Sequence, residues 1–131
     1  MGGFFGAISR ENCKYDVFFG TDYHSHMGNK RGGVIFYDTD KGYQRQIHSI
    51  ESTPFRTKFE GDLENMSGTV GIGCISDSDP QPLLVRSHLG LFAIATVGII
   101  NNAEELVEKT FSSVGHQFMA ISSGKVNSTE L

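Results

Sequence analysis

Tryptophan is absent from this sequence, proline occurs three times and cysteine twice. Cys13 and Cys74 are far too few for the disulfide framework of a small secreted domain, so two free thiols are expected. Basic side chains are outnumbered 11 to 15, giving a net charge of −4. That balance lacks the positive excess that non-specific nucleic-acid or anionic-membrane binding requires, and neither partner is expected. No apolar run approaches the roughly 20 residues of a membrane span. The opening MGGFFGA has neither the basic leader of a secretory signal nor the hydroxyl residue of a myristoylation site, so a cytoplasmic location is expected. Repeats and low-complexity segments are missing. Metal-ligand spacing is missing too: His24 and His26 sit two apart on an expected helix and point to different faces, away from a shared site with Cys13. No metal and no cofactor is expected.

What is present is enough for one globular domain over residues 1–131, with 38% hydrophobic residues and sixteen glycines placed beside strand-like runs. Strands are expected at Gly3–Ile8, Gly32–Thr39, Tyr43–Ile50, Thr69–Ile75, Leu83–His88, Leu91–Gly98 and Phe118–Ile121. A helix is expected over Lys14–Met27, where Tyr15, Phe18, Phe19, Asp22 and His26 follow a spacing near 3.6 with two aromatics on the buried side, and Gly28 is its stop. A second follows from Pro54 to Met66, where Phe55, Phe59, Leu63 and Met66 share a face. A third is capped by Asn101 or Asn102, carries Glu104 and Glu105 in its first turn, runs to Phe111 and is closed off by Gly115. Asn127-Ser128-Thr129-Glu130 reads as the start of a further helix, so the sequence is expected to be a piece of a larger fold. The class is α+β.

Several short segments, in order, carry more than secondary structure. They are Gly2-Gly3-Phe4-Phe5-Gly6, then His26-Met27-Gly28 with Gly33, then Gly71-Ile72-Gly73-Cys74-Ile75-Ser76-Asp77, then Gln81-Pro82. Ala95 to Leu106 (ATVGIINNAEEL) and Asn127-Ser128-Thr129-Glu130 complete the series. Together they resemble the fingerprint of class II (N-terminal nucleophile) glutamine amidotransferases of the amidophosphoribosyltransferase type. That fingerprint runs C-G-I-F-G, H-R-G, G-I-G-H-x-R-Y, Q-P, A-H-N-G-N-L-x-N-A-x-E-L and S-D-[ST]-E. The resemblance covers residues 2–131 but only the front of the family's domain, and it implies part of an αββα sandwich.

It also implies a lost reaction. The family attacks the glutamine amide with an N-terminal cysteine thiolate, and Gly2 stands there. Val97 replaces the asparagine of the oxyanion hole, while the adjoining Gly98 is kept; losing one such donor costs about a hundredfold to a thousandfold in rate. Ser76 replaces the arginine that grips the substrate carboxylate, and Ser128 the aspartate that grips its amino group. The resemblance therefore implies a glutaminase-like domain without glutaminase, structural or regulatory for an ammonia-using phosphoribosyl transferase. The alternative is a stand-alone binding or interaction module on the same fold. A partial sandwich would leave sheet surface uncovered, so self-association or the remainder of a larger chain is expected to cover it. Three further features stay open between two readings each. Cys74 is a displaced nucleophile or, the default, a small buried residue. Asp77 and Asp79 are a cation site or a solvated turn. Lys30-Arg31 is a phosphate contact or a surface turn.

Overall fold

The computed structural model describes residues 2–26, 30–113, 115–122 and 124–131. Its centre is a four-stranded antiparallel sheet of β1 (Gly3–Ile8), β2 (Arg31–Asp38), β3 (Gly42–Ser49) and β4 (Val70–Ser76), in the order β1-β4-β2-β3. The run RGGVIFYD supplies β2 with β-branched and aromatic residues, and as an inner strand it buries both faces: Val34, Ile35 and Phe36 are all sealed from water. The β2–β3 turn is built by Asp38, whose Oδ1 accepts from the N–H groups of Asp40 (2.8 Å) and Lys41 (3.4 Å) before Gly42 turns the chain at φ +72°. Those N–H groups, with the Ser67 hydroxyl, hold the Asp38 carboxyl below its ordinary pKa.

Two helices cover one face of this sheet. α1 (Lys14–His24) buries Val17, Phe18 and Thr21; α2 (Phe55–Leu63) buries Phe55, Phe59 and Leu63, a spacing of four that keeps one stripe inward. Phe55 and Phe59 stack at 4.4 Å, and Phe18 meets Phe55 at 5.7 Å. With Val34, Phe36, Ile75 and Met66 these side chains form one continuous core. Polar ties fasten the layer at its rim: Lys14 Nζ donates to the Leu63 carbonyl (2.8 Å), Arg56 pairs with Asp22 (2.7 Å) and His48 Nε2 lies 2.6 Å from Asp62 Oδ2.

The buried side of α1 differs from the expected one. Tyr15 and Phe19 are 58% and 52% exposed and stack on each other instead of on the sheet. The stripe that faces inward is set by the sheet: Val17 and Thr21 sit over Gly71 and Gly73 of β4, and a Cβ added at Gly73 would land inside the Thr21 side chain. Thr21 is itself satisfied by donating to the Val17 carbonyl at 2.6 Å. The helix is described to His24, and Met27 and Gly28, its expected end, lie outside the described residues.

The second sheet face is thinly covered. The hairpin β5 (Leu83–Ser87) and β6 (Gly90–Ile94) lies beside it, tied by the Tyr43 hydroxyl to the Leu91 carbonyl at 3.0 Å. β6 stops at Ile94, short of the expected Gly98, because Thr96 turns inward to bond a side chain. Phe4 and Ile8 of β1 remain 55% and 86% exposed. α3 (Ala103–Phe111) buries no residue; Asn102 stands at its cap position without a side-chain cap bond, and the helix ends before Gly115. The expected strand over Phe118–Ile121 is a two-residue strand, β7 (Ile121–Ser122), paired with β8 (Lys125–Val126), which the sequence pattern did not suggest. Asn127 does cap a turn: its Oδ1 accepts the Thr129 N–H at 2.9 Å. Among the described residues, three helices and antiparallel sheets make the fold α+β.

Gly73→Val is expected to lower stability by about 1–3 kcal/mol, because α1 must lift from β4. Gly61→Ala on α2, where an added Cβ meets nothing within 4 Å, is the control and is expected to be neutral or mildly stabilising. Thermal melts check both, and equal melting of Gly73→Val and the native chain would contradict this packing.

Candidate functional site

Antiparallel pairing of Gly3 with Ile75 brings the start of β1 to the end of β4, so Gly2 and Ser76 are neighbours. The loop that follows Ser76 is held by that residue: Ser76 Oγ accepts from the N–H groups of Asp79 (3.1 Å) and Ser78 (3.3 Å). The chain then passes through Gln81 and a cis bond to Pro82 into the β5–β6 hairpin. The segment after β6, Thr96 to Ile99, returns to the same place.

A cleft of about 540 Å³ lies between these segments. Gly2, Ser76, Val97, Gly98 and Ser128, which come from four separated stretches of sequence, all line it. Ile75, Val97 and Ile99 give it an apolar wall; Asp77, Ser78 and Asp79 give it a polar one; no lysine, arginine or histidine is among the described residues that line it. Gly98 sits at φ +155°, a conformation that side-chain-bearing residues rarely adopt, although space beside it is open. At Gly2 the reverse holds: an added Cβ would strike the Ile75 carbonyl oxygen.

Hydrogen bonds draw the C-terminal turn onto the loop. Ser128 donates to Asp79 Oδ2 through its hydroxyl (2.5 Å) and its backbone N–H (3.2 Å). Fully buried Asn127 donates from Nδ2 to the Pro80 carbonyl at 3.1 Å, and the Thr129 and Thr96 hydroxyls meet at 2.8 Å. Gln81, 5% exposed, accepts the Thr96 N–H at 2.7 Å through Oε1. The long-range partners of Gln81, Asp79 and Asn127 had no signal in sequence, since each lies more than ten positions away.

Cys74 is 1% exposed and does not line the cleft; its thiol points to Gln81 Oε1 at 3.7 Å, and burial pushes it up to about 11. A protonated, sealed thiol is a poor nucleophile, which favours the buried-residue reading. Cys13 is also buried, and burial raises it as well. Lys30 and Arg31 border, with Lys125, an adjoining cavity of about 540 Å³ that shares the wall formed by Asp79, Gly98 and Ser128. His24 lies at the C-terminal end of α1 and Cys13 at its start; among the described residues no group of three metal-ligating side chains is found. No described helix is long and apolar enough to cross a membrane.

The Cys74 environment fixes the sign of an alkaline effect. The folded thiol holds its proton to about 11, whereas the unfolded thiol loses it near the ordinary 9.0. Between these values the unfolded state binds fewer protons, so stability falls as pH rises through that window. Denaturant melts at pH 8 to 11 are expected to show the decline, and Cys74→Ala to flatten it. An unchanged slope in Cys74→Ala would place the effect elsewhere.

No family model matches the chain. The chain is similar to the amidophosphoribosyltransferase of Methanocaldococcus jannaschii, 26% identical over 136 aligned residues that cover 96% of this chain and 28% of that protein. The chain thus spans just over a quarter of the length of that relative.

Proposed function

We propose that this chain is a class II glutamine amidotransferase-like domain, part of an αββα sandwich of the N-terminal nucleophile kind, in which glutamine hydrolysis has been lost. Its role is structural or regulatory for a phosphoribosyl transferase that takes ammonia directly, in the chemistry that the relative's name denotes and in purine-nucleotide synthesis in the cytoplasm. The observation that carries this reading is the convergence of Gly2, Ser76, Val97, Gly98 and Ser128 on one cleft. These positions come from four separated sequence segments, and their meeting in one cleft is consistent with the fold that the fingerprint describes.

The residues at those positions explain the loss. Gly2 offers no nucleophile, and Val97 offers an apolar side chain where a donor would hold the oxyanion. Ser76 spends its oxygen on the loop N–H groups of Ser78 and Asp79, and Ser128 spends its hydroxyl on Asp79. Neither supplies the full charge that a substrate carboxylate or ammonium would pair with. The second reading, a binding module on the same scaffold, is favoured by one observation: the cleft stays open at about 540 Å³ although its chemistry has changed.

The sparsely covered second sheet face supports self-association, or cover by the remainder of a larger chain. Phe4 and Ile8 of edge strand β1, and the unburied α3, are the surfaces concerned. Sedimentation at micromolar concentration is expected to show a dimer or larger species, and a monomer with a cooperative melt would contradict self-association.

Incubation with glutamine is expected to release no glutamate above the blank. Gly2→Cys is expected to stay inactive, because the added Cβ meets the Ile75 carbonyl and the other three positions are unchanged. Glutamate release by the native chain, or its recovery in Gly2→Cys, would overturn the reading.

A further inference from the structure

Arg45 and Arg86 line a second cavity, of about 800 Å³, between β3, the β5–β6 hairpin and the C-terminal residues from Gln117 onward. It shares no lining residue with the cleft: Pro80 and Ile94 border the one, Gln81 and Thr96 the other. The strand register explains how two arginines from different elements come to it. Tyr43 lies two positions before Arg45, on the same side of β3, and its hydroxyl donates to the Leu91 carbonyl at 3.0 Å. Leu91 is the pairing partner of Arg86. That bond draws the hairpin that carries Arg86 to the strand that carries Arg45.

The walls between them are mostly apolar. Val85, Phe92 and Ile94 line the hairpin side, and Met119 and Ile121, 86% and 58% exposed, line the other. Neither guanidinium makes a hydrogen bond or ion pair with a described residue. Glu130 is the one carboxylate among the described lining residues, and backbone donors take both of its oxygens: the Met119 N–H bonds Oε1 (2.8 Å) and the Ala120 N–H bonds Oε2 (2.6 Å). Asp79, next in sequence to Pro80, is outside this lining and is bonded to Ser128. In a chain of net charge −4, the cavity thus holds two unpaired cations against one engaged carboxylate. Its complement is a molecule with one anionic group and a hydrocarbon body. The planar guanidinium fork takes the two oxygens of a carboxylate together, and the body removes exposed apolar side chains from water.

We propose that this cavity binds monocarboxylates with an extended apolar body, the carboxylate on Arg45 and Arg86 and the body along Val85, Phe92, Ile94 and Ile121. About 800 Å³ is ample for such a molecule. The site goes beyond the proposed function and does not rest on it, because the cleft contributes no residue to it.

Calorimetric titration of the full chain with octanoate, acetate, 1-octanol and octylammonium separates charge from body. Octanoate is expected to bind saturably, with a Kd below about 1 mM. Acetate keeps the charge and loses the body, and is expected to bind at least about tenfold more weakly. Octanol keeps the body without the charge-assisted bonds and is expected to lose at least about tenfold, and octylammonium is expected not to saturate. Arg45→Gln and Arg86→Gln are each expected to weaken octanoate about five- to tenfold while leaving octanol binding and the thermal melt unchanged, since neither side chain holds a partner in the fold. Arg31→Gln removes a cation that borders a different cavity and is expected to leave octanoate binding as it was. Ile121→Trp, from an exposed position, is expected to fill the cavity and weaken octanoate and octanol alike. No saturation by octanoate up to about 10 mM would overturn the proposal. So would octanol binding as tightly as octanoate, octanoate binding unchanged in both Arg45→Gln and Arg86→Gln, or an equal loss in Arg31→Gln.

Discussion

The hydrogen bond from the Thr96 backbone N–H to the Gln81 side-chain oxygen, at 2.7 Å, fixes the end of the β5–β6 hairpin to the segment that leaves the central sheet. Gln81 belongs to the segment that leaves the central sheet, and Thr96 to the end of the β5–β6 hairpin. Without a partner the buried amide would carry a desolvation cost of about 1–3 kcal/mol, so the contact specifies where the hairpin must end. The cleft follows from it. Thr96 anchored at Gln81 places Val97 and Gly98 beside Gly2 and Ser76, and the Thr96–Thr129 contact adds the C-terminal turn.

The sheet and its helix layer form the rigid side of that arrangement. Small residues at Gly71 and Gly73 let α1 seat on β4, and the aromatic core of Phe18, Phe36, Phe55 and Phe59 fills the space between the helices and the sheet. The other side is held mainly by polar contacts: Ser128 and Asn127 to the 79–80 loop, and the Glu130 carboxylate to the N–H groups of Met119 (2.8 Å) and Ala120 (2.6 Å). That division fits a cleft whose back wall is fixed and whose front wall is formed by short strands and turns.

Much of the first side was legible in sequence. The apolar runs of β1, β2 and β4 and the four-residue spacing of Phe55, Phe59 and Leu63 are local patterns, and each became the expected element to within a residue or two at most ends. The burial of α1 was not legible, because Tyr15 and Phe19 look like core residues until the glycines opposite Val17 and Thr21 are seen to set the contact line. β7 and β8 were too short to leave a period. The five cleft positions were found through the fingerprint, not through periodicity, and the structure puts them together. Asp79 was weighed in sequence only as a cation site or a solvated turn, and Gln81 only as part of a Q-P match; their hydrogen-bond partners were not legible. Asp79 and Ser128 stand 49 positions apart, and nothing in either local sequence announces the other.

The proposed function requires a glutamine-like cleft that offers no nucleophile. Intact-mass spectrometry after incubation with a chloroketone analogue of glutamine tests it directly, since such a reagent alkylates whichever nucleophile a glutamine pocket presents. An unchanged mass is expected at neutral pH, with Cys13 and Cys74 labelled only after unfolding. A stoichiometric adduct on the folded chain, prevented by excess glutamine, would show a working nucleophile in a working pocket and contradict it.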